Sequence, residues 1–306
     1  MSSAPMQLTD RTRAAQDKAR VLREALPWIT QWAGKTLVVK YGGSAMGGDP
    51  LAAAFAADVA LLRSVGVRIV VVHGGGPQIS ALSEQLGLQA RFVDGRRVTD
   101  AATLEAVKMA LLGSVNPFLV GLIAAAGASA VGVAGTDGGL ILASPAPEEL
   151  GLVGEVERVN PGVLTTLLDD GAVPVVATIG RDADGAERNI NADSVAGAVA
   201  VALAAEKLIY LTDVAGLYED FGTADSTLLS VVGVERLRAM LDAGSLNEGM
   251  VPKVRSMVAA LDGGVPQAHL LDGRVEHALL LEIFTDEGIG TMVLPGQGAG
   301  PSEEVG

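Results

Sequence analysis

Across residues 10–32 the apolar positions Val21, Leu22, Ala25, Leu26 and Ile29 recur at helical spacing, while Arg20, Arg23 and Glu24 fall elsewhere on the wheel. The pattern predicts an amphipathic N-terminal helix from Asp10 to about Trp32. Pro27 lies inside it, where a proline removes a helical hydrogen bond and is expected to kink or break the helix. The apolar face then either packs on the core of its own chain or docks on something beyond it, and the pattern alone leaves both open.

After this helix, short Val/Ile runs alternate with amphipathic segments. Strands are expected over 36–40 and 67–73, and helices over 50–64 and 77–86. Continuous apolar runs between helices are what a parallel sheet covered on both faces requires, so the fold class is α/β. A hairpin is expected over 89–98, a helix over 100–126, and strands near 128–133, 140–143 and 173–177. A second βα series comprises a helix over 192–205, a strand over 207–213, helices near 234–241 and 252–261, and a closing strand near 267–271. Two lobes divide near 178–186. No Ser- or Pro-rich linker separates them, so they are expected to share one continuous sheet. The Gly-rich polar tail 295–306 is not expected to fold alone.

Length and charge narrow the reading. The 306 residues suffice for two lobes with a sizeable core, and the absence of cysteine excludes disulfides, thiolate nucleophiles and cysteine-ligated metals. Such a composition suits a reducing cytoplasm. With 22 Lys and Arg against 36 Asp and Glu, the net charge of −14 has the wrong sign for general nucleic-acid binding. Cations for an anionic ligand must therefore be placed locally. The run from Met109 to Thr136 has no charged side chain and is long enough for a membrane span. Its small residues, its internal Asn116-Pro117, the Gly127 break and its lack of flanking aromatics point instead to a buried helix followed by a buried strand. The charged N-terminus has no signal-peptide core, so neither export nor membrane anchoring is expected.

Candidate chemistry clusters at the expected strand ends. In VVVHGGGPQIS, three glycines follow His73 and Pro77 stands where the first turn of a helix accepts proline. Glycines let an anion approach the backbone, and a helix N-terminus presents free N–H groups, so Gly75 and Gly76 belong to a candidate anion cradle. The P-loop pattern is absent, since Gly34-Lys35-Thr36 precedes a strand. In VVKYGGS, Lys40 ends the first strand beside Gly42 and Gly43, where ligands of open α/β sheets bind. Lys253 falls in the first turn of a helix, where the dipole disfavours a cation and some other reason for it is expected. In RNINADSVAG, Asn191 suits an N-cap and Asp193 the first turn. Asn189 precedes the cap and is free to donate to a carboxylate. Arg97 of GRRVTD suits bidentate recognition of a carboxylate, with Arg96 as its exposed neighbour, although a hairpin surface charge is an equal reading. His73, His269 and His277 show no metal-ligand spacing and read as structural; no metal site is expected.

Taken in order, VVKYGG, HGGGPQI, GRRVT, NINAD, LTDVAGLY and GMVPKV resemble the amino-acid kinase superfamily and, within it, the acetylglutamate kinase family. The resemblance runs from about Leu22 to Leu294. It implies a three-layer α/β/α sandwich with a largely parallel open central sheet, preceded by a kinked N-terminal helix. It implies transfer of the ATP γ-phosphoryl group to the side-chain carboxylate of N-acetyl-L-glutamate in arginine biosynthesis, with Mg²⁺ carried by the ATP phosphates. Lys40 and Lys253 would stabilise the moving phosphoryl group and Asp193 would orient them. Gly43, Gly75 and Gly76 would offer N–H groups, and Arg97 and Asn189 would hold the substrate's α-carboxylate. Gly42 with Gly43, Thr212, Asp213, Gly216 and Tyr218 would serve the phosphoryl group and nucleotide. The implied organisation is an oligomerisation helix (1–34), an acyl-amino-acid lobe that also dimerises (35–180), an ATP lobe (181–294) and the tail (295–306).

The segment 276–293 and the extra N-terminal helix resemble arginine-inhibited members, which assemble as hexamers, three dimers joined through those helices. This implies L-arginine as an inhibitor, with Lys207, Glu282 and Gly288 near it. The chain departs from the family's usual residues at Pro117, at Ala124 to Ala126 and at Thr136. These departures bear on acyl selectivity and dimer detail rather than on reaction class. The alternatives are a kinase for another acyl-amino acid such as an N-acyl-aminoadipate or a carrier-linked glutamate, and a non-catalytic arginine or nucleotide sensor. A dinucleotide-binding dehydrogenase is the weakest reading, for no G-x-G-x-x-G follows a strand and opens a helix.

Overall fold

The computed structural model describes residues 10–42, 49–93, 95–219, 226–247, 249–285 and 288–296. Helix α1 (Asp10–Trp32) leads into β1 (Thr36–Tyr41), α2 (Asp49–Ser64), β2 (Arg68–His73) and α3 (Gly76–Gln85). A hairpin of β3 (Phe92–Val93) and β4 (Arg96–Arg97) precedes a long helix in three parts: α4 (Ala101–Ala110), a π-helical turn (Leu111–Val115) and α5 (Asn116–Ala125). Then come β5 (Ala130–Ala134), β6 (Ile141–Pro145), β7 (Val153–Val159), α6 (Gly162–Asp169), β8 (Val173–Ala177), β9 (Ile179–Asp182) and β10 (Glu187–Ile190). The remainder is α7 (Ala192–Ala202), β11 (Lys207–Thr212), β12 (Leu217–Glu219), β13 (Thr227–Leu229), β14 (Val231–Gly233), α8 (Val234–Asp242), α9 (Val251–Asp262), β15 (Ala268–Asp272), α10 (Ala278–Phe284) and β16 (Gly290–Leu294).

Eight strands form one sheet in the order β14-β16-β15-β11-β1-β2-β8-β5. Every neighbouring pair is parallel except β15 with β16. Strands from both halves of the chain therefore share one sheet, as the missing linker predicted. Alternation along β1 divides the core between its two faces. Leu37, Val39 and Tyr41 join the buried cluster with α2, α5 and α10, and Val38 joins the one with α6, α7 and α9. Helices on both faces give the three-layer sandwich. Lys40 has the parity of Val38, so it leaves the sheet on the α7 face. The strand order reverses between β11 and β1, which opens a crevice outside their carboxyl ends.

Several expectations require correction. Of the kink or break expected at Pro27, the break does not occur: helix α1 continues from Asp10 to Trp32 with the proline inside it. The helix over Ala101–Ala125 is long and apolar enough to cross a membrane by length and composition, yet it packs on the sheet with Leu104, Val107, Leu111, Leu119 and Ile123 buried. It is half-buried rather than buried, because Met109, Leu112 and Phe118 stay exposed on its other face. The strand after it, β5, is an edge strand, buried only toward its end. β15 does not close the sheet, since β16 pairs antiparallel to it. The sequence reading also omitted β7, β9 and β10, which with β6 form a small closed barrel in the order β10-β7-β6-β9.

Candidate active site

Two helices deliver the central charges. Asn191 caps α7 by accepting from the backbone N–H groups of Asp193 and Ser194 at 2.8 and 3.2 Å, and this fixes Asp193 in the first turn. The Asp193 carboxylate faces two lysines. Its Oδ1 lies 3.0 Å from Lys40 Nζ as an ion pair without hydrogen-bond alignment, and its Oδ2 accepts from Lys253 Nζ at 3.3 Å. Lys253, in the first turn of α9, also donates to Gly249 O at 3.3 Å. Burial alone would raise the Asp193 pKa, but the charges of Lys40 and Lys253 outweigh it and hold the carboxyl below the usual carboxylate range. The cation disfavoured by the α9 dipole is thus held by a buried anion.

Behind this triad, α7 and α9 are locked together. Ser256 Oγ donates to the Asp193 backbone carbonyl at 2.6 Å, and the Tyr210 hydroxyl reaches the same carbonyl at 3.3 Å and Ser256 Oγ at 2.7 Å. Burial, reinforced by Asp193, pushes the Tyr210 phenol pKa up, so the hydroxyl keeps its proton. A Cβ on Gly197 would fall 2.5 Å from Ser256 Oγ, which is why the helices cross at a glycine. Sequence reasoning missed Ser256 and Tyr210; each is an ordinary residue in its own segment.

A cavity of about 220 Å³ opens beside Lys40 and is lined by Gly74, Gly75, Gly76, Arg97, Asn189 and Thr178, among others. The first strand, the glycine turn, the hairpin and β10 therefore meet at one place, as their motifs suggested. Of the three glycines, Gly75 is the one where an added Cβ would force a neighbour to shift, lying 2.6 Å from Leu111 Cδ2 in the π-helical turn. Arg97 is buried, stacks over Phe92 at 4.8 Å from the ring centroid, and donates from Nη2 to Ser80 Oγ at 2.6 Å and Gly76 O at 3.3 Å. Its Nη1 is buried without a partner. Asn189 Nδ2 donates to Thr99 Oγ1 at 3.1 Å, so the GRRVTD motif positions both groups at that end. Arg96 is not the exposed neighbour expected: its side chain is 25% exposed and its Nη1 meets Glu155 Oε1 at 2.6 Å.

Gly42 packs close to Gly74, where an added Cβ would lie 3.3 Å from Gly74 N; Gly43 falls outside the described residues. Thr212, at the end of β11, is buried and its hydroxyl donates to Asp213 Oδ1 at 3.2 Å. Gly216 and Tyr218 line a shallow recess with Val214, Leu217, Leu246, Asn247 and Met250. Gly216 must be glycine because a Cβ would fall 2.5 Å from Thr291 Oγ1.

A second cluster gathers the buried side chains of Lys207, Glu282 and His269, with Gly288 exposed beside it. Glu282 Oε1 lies 3.3 Å from Lys207 Nζ and 2.6 Å from His269 Nδ1, and Lys207 Nζ sits 4.9 Å from the centroid of the Trp32 ring. Gly288 has φ +57°, and a Cβ added there would lie 3.6 Å from Glu282 Oε2. Burial lowers the Lys207 and His269 pKa values, against the pull of Glu282. His269, read as structural, belongs to this cluster, and nothing local in the sequence pairs it with Glu282. Pro117 and Ala124 to Ala126 are exposed along α5 and its end, and Thr136 lies in a turn; none lines the cavity beside Lys40.

Comparison with known proteins agrees with this geometry. The model of the amino acid kinase family matches residues 35–272. An acetylglutamate kinase of Frankia casuarinae is 49% identical over 96% of this chain and 82% of its own length. Another from Rhodococcus jostii is 50% identical over 94% of each. Among solved structures, the N-acetylglutamate synthase of Neisseria gonorrhoeae, complexed with coenzyme A and N-acetyl-glutamate, superposes with a TM-score of 0.79 at 28% identity. This chain is covered to 90% and spans 63% of the synthase. Carbamate kinase from Giardia lamblia bound to AMP-PNP gives a TM-score of 0.67 at 19% identity, over 86% of this chain and 99% of that one, a likeness of fold. The chain belongs to the amino acid kinase family. It is a phosphotransferase of that family's acetylglutamate kinase group.

Proposed function

We propose that this chain transfers the γ-phosphoryl group of ATP to the side-chain carboxylate of N-acetyl-L-glutamate in arginine biosynthesis, in the cytoplasm, and is inhibited by L-arginine. The observation that carries the catalytic reading is one cavity lined both by Lys40, bridged to Lys253 through buried Asp193, and by Arg97 with an unpartnered guanidinium nitrogen. The substrate's α-carboxylate pairs with Arg97 and Asn189, which directs the side-chain carboxylate toward Lys40 and the glycine cradle. One carboxylate oxygen attacks the γ-phosphorus, the bond from that phosphorus to the β,γ-bridging oxygen breaks, and ADP leaves with the electron pair; no proton moves. Two anions must meet in line, so catalysis is positioning and charge neutralisation. Lys40 and Lys253 supply the positive charge, and Asp193 keeps both aimed.

ATP is held by the second half of the chain (181–294) through Thr212, Asp213, Gly216 and Tyr218, with Gly42 and Gly43 at the phosphoryl end. The acyl-amino acid is held by the first (35–180). Mg²⁺ enters with the nucleotide, carried by its phosphates. Arginine inhibition is supported by the cluster of Lys207, Glu282, His269 and Gly288 beside Trp32, a cation-binding carboxylate at the foot of α1. Dimers through the exposed Met109, Leu112 and Phe118 face, joined into hexamers by α1 (within 1–34), would cover those three side chains and the exposed Val21, Leu22 and Leu26 of α1.

The test incubates purified protein with MgATP, N-acetyl-L-glutamate and hydroxylamine, which traps an acyl phosphate as hydroxamate. It runs with and without L-arginine, and beside N-acetyl-aminoadipate. Hydroxamate from acetylglutamate, suppressed by arginine, is the expected result. Product only from the longer acid would replace the substrate, product untouched by arginine would remove the inhibitor, and no product from either would overturn acetylglutamate as the acceptor and leave a different acceptor or the sensor.

A further inference from the structure

The glycine cradle is backed by a buried polar relay that none of its motifs announces. His73, the last residue of β2, is fully buried; its Nδ1 lies 2.9 Å from Gly74 O and its Nε2 lies 3.0 Å from Asn116 Nδ2. Asn116 opens α5 immediately after the π-helical turn, and its Nδ2 also lies 2.8 Å from Val175 O in β8. Each protonation and orientation follows from the one before. Val175 O is a carbonyl and only accepts, so Asn116 must turn its amide nitrogen to that side. The same nitrogen donates to His73 Nε2, which must be unprotonated. The ring proton is then on Nδ1, where it donates to Gly74 O. Burial lowers the His73 pKa to about 4, so the ring is neutral at physiological pH.

The consequence lies one bond further on. The Gly74–Gly75 peptide is trans, as the described residues include no cis bond. In a planar trans peptide the C=O and the following N–H point in opposite directions. Holding Gly74 O against His73 therefore turns the Gly75 N–H away from the ring, on the side where Gly75 and Gly76 line the cavity. A three-glycine turn has little conformational preference of its own and would otherwise lose this orientation by rotating one peptide plane. Packing alone constrains Gly75 from the other side, through Leu111 and Val115 of the same π-helical turn. Asn116 has its place because residue 132 in β5 is glycine, where a Cβ would fall 2.0 Å from Asn116 Oδ1. A π-helical turn interrupting a long helix is a recurrent mark of functional sites, and here it sets Leu111 and Asn116 in register with the cradle.

We propose that His73 and Asn116 are positioning residues for the phosphoryl transfer, fixing the Gly74–Gly75 peptide so that the cradle's N–H group is aimed at the anion before substrates arrive. The proposal rests on the reading of this cavity as the acyl-acceptor site. Activity of the wild-type protein on acetylglutamate tests that reading separately.

Three variants and one spectrum test the relay. His73→Asn keeps a donor at the place of Nδ1, whereas His73→Leu fills the space without one. Asn116→Asp offers only acceptors, forces the ring proton to Nε2 and leaves Nδ1 repelling Gly74 O. Expected are a fall in kcat of about 10- to 100-fold for His73→Leu and Asn116→Asp, by analogy with loss of one oriented donor, and a KM for ATP within about twofold of wild type. His73→Asn should recover most of the lost turnover at a melting temperature matching that of His73→Leu. Equal losses in His73→Asn and His73→Leu, or losses that follow melting temperature alone, would overturn the proposal. Should a variant fail to fold, long-range ¹H–¹⁵N spectra of the wild type decide, since the chain has only three histidines to assign. A buried ring protonated at Nδ1 is required, and one protonated at Nε2 removes the relay.

Discussion

Lys253→Ala should lower kcat by about 10²- to 10³-fold with little change in the acetylglutamate KM, because its charge is needed where negative charge moves. Arg97→Ala should instead raise that KM by about 10- to 100-fold, since on the proposed mechanism its unpartnered Nη1 pairs with the substrate's α-carboxylate. Steady-state kinetics separates the two; the reverse pattern would mean their roles are exchanged. Acid stability can be argued at the same scale. His73 is held at a pKa of about 4 in the folded chain, against about 6.5 unfolded, so the unfolded state binds the extra proton between those values. Its contribution is fully present above pH of about 6.5 and is lost as pH falls toward 4, with a slope of up to about 1.4 kcal/mol per pH unit. The lowered pKa of Asp193 adds a loss of the same sign at still lower pH. Denaturation midpoints measured from pH 7 to 4 should therefore fall less steeply in His73→Asn than in wild type.

Between elements, the contact that matters most for chemistry is α7 on α9, because one carries Asp193 and the other Lys253. Gly197→Ala would drive a Cβ to 2.5 Å from Ser256 Oγ and 3.2 Å from Ser256 O. We expect a loss of about 1–3 kcal/mol in stability from overpacking and a fall in kcat larger than the stability loss explains. Gly121→Ala in α5 meets nothing within 4 Å and serves as the control, neutral or stabilising by up to about 1 kcal/mol. A Gly197→Ala enzyme with unchanged kcat would show that the helix spacing is not critical. The elements most legible in the sequence were those whose signals are local. Continuous Val/Ile runs marked β1, β2, β8 and β11, and the Asn191 cap and the proline after three glycines marked the starts of α7 and α3. Of the barrel strands only β6 was foreseen; segments such as ERNI and IGRD are short and polar, and acquire strand geometry only by pairing with one another. The site was legible as motifs but not as contacts: Asn116 stands 43 residues from His73 and Ser256 stands 63 from Asp193. No periodicity links such pairs; the order of strands in the sheet does.

For the whole molecule, α1 is the element that the rest of the chain does not explain. Its last residue, Trp32, is buried against the core beside Lys207, while Val21, Leu22 and Leu26 are 60, 69 and 58% exposed. A stripe of this kind on a helix anchored only at its end is an unfavourable surface for a monomer and a suitable one for a symmetric contact with a second copy. The net charge of −14 opposes bringing copies together, so association through this stripe should strengthen with salt as repulsion is screened. Replacing Leu22 and Leu26 together with aspartate adds charge to an interface that is apolar and should reduce the sedimentation coefficient to that of a smaller assembly. Turnover without arginine should remain near wild type, since neither residue approaches Lys40, Asp193 or Lys253. The arginine inhibition proposed above should weaken, because Trp32, the last residue of α1, lies against Lys207, whose Nζ is 4.9 Å from its ring centroid. An unchanged assembly at both low and high salt would show that the stripe is not an interface, and full arginine sensitivity in a dissociated variant would show that the effector cluster acts without α1.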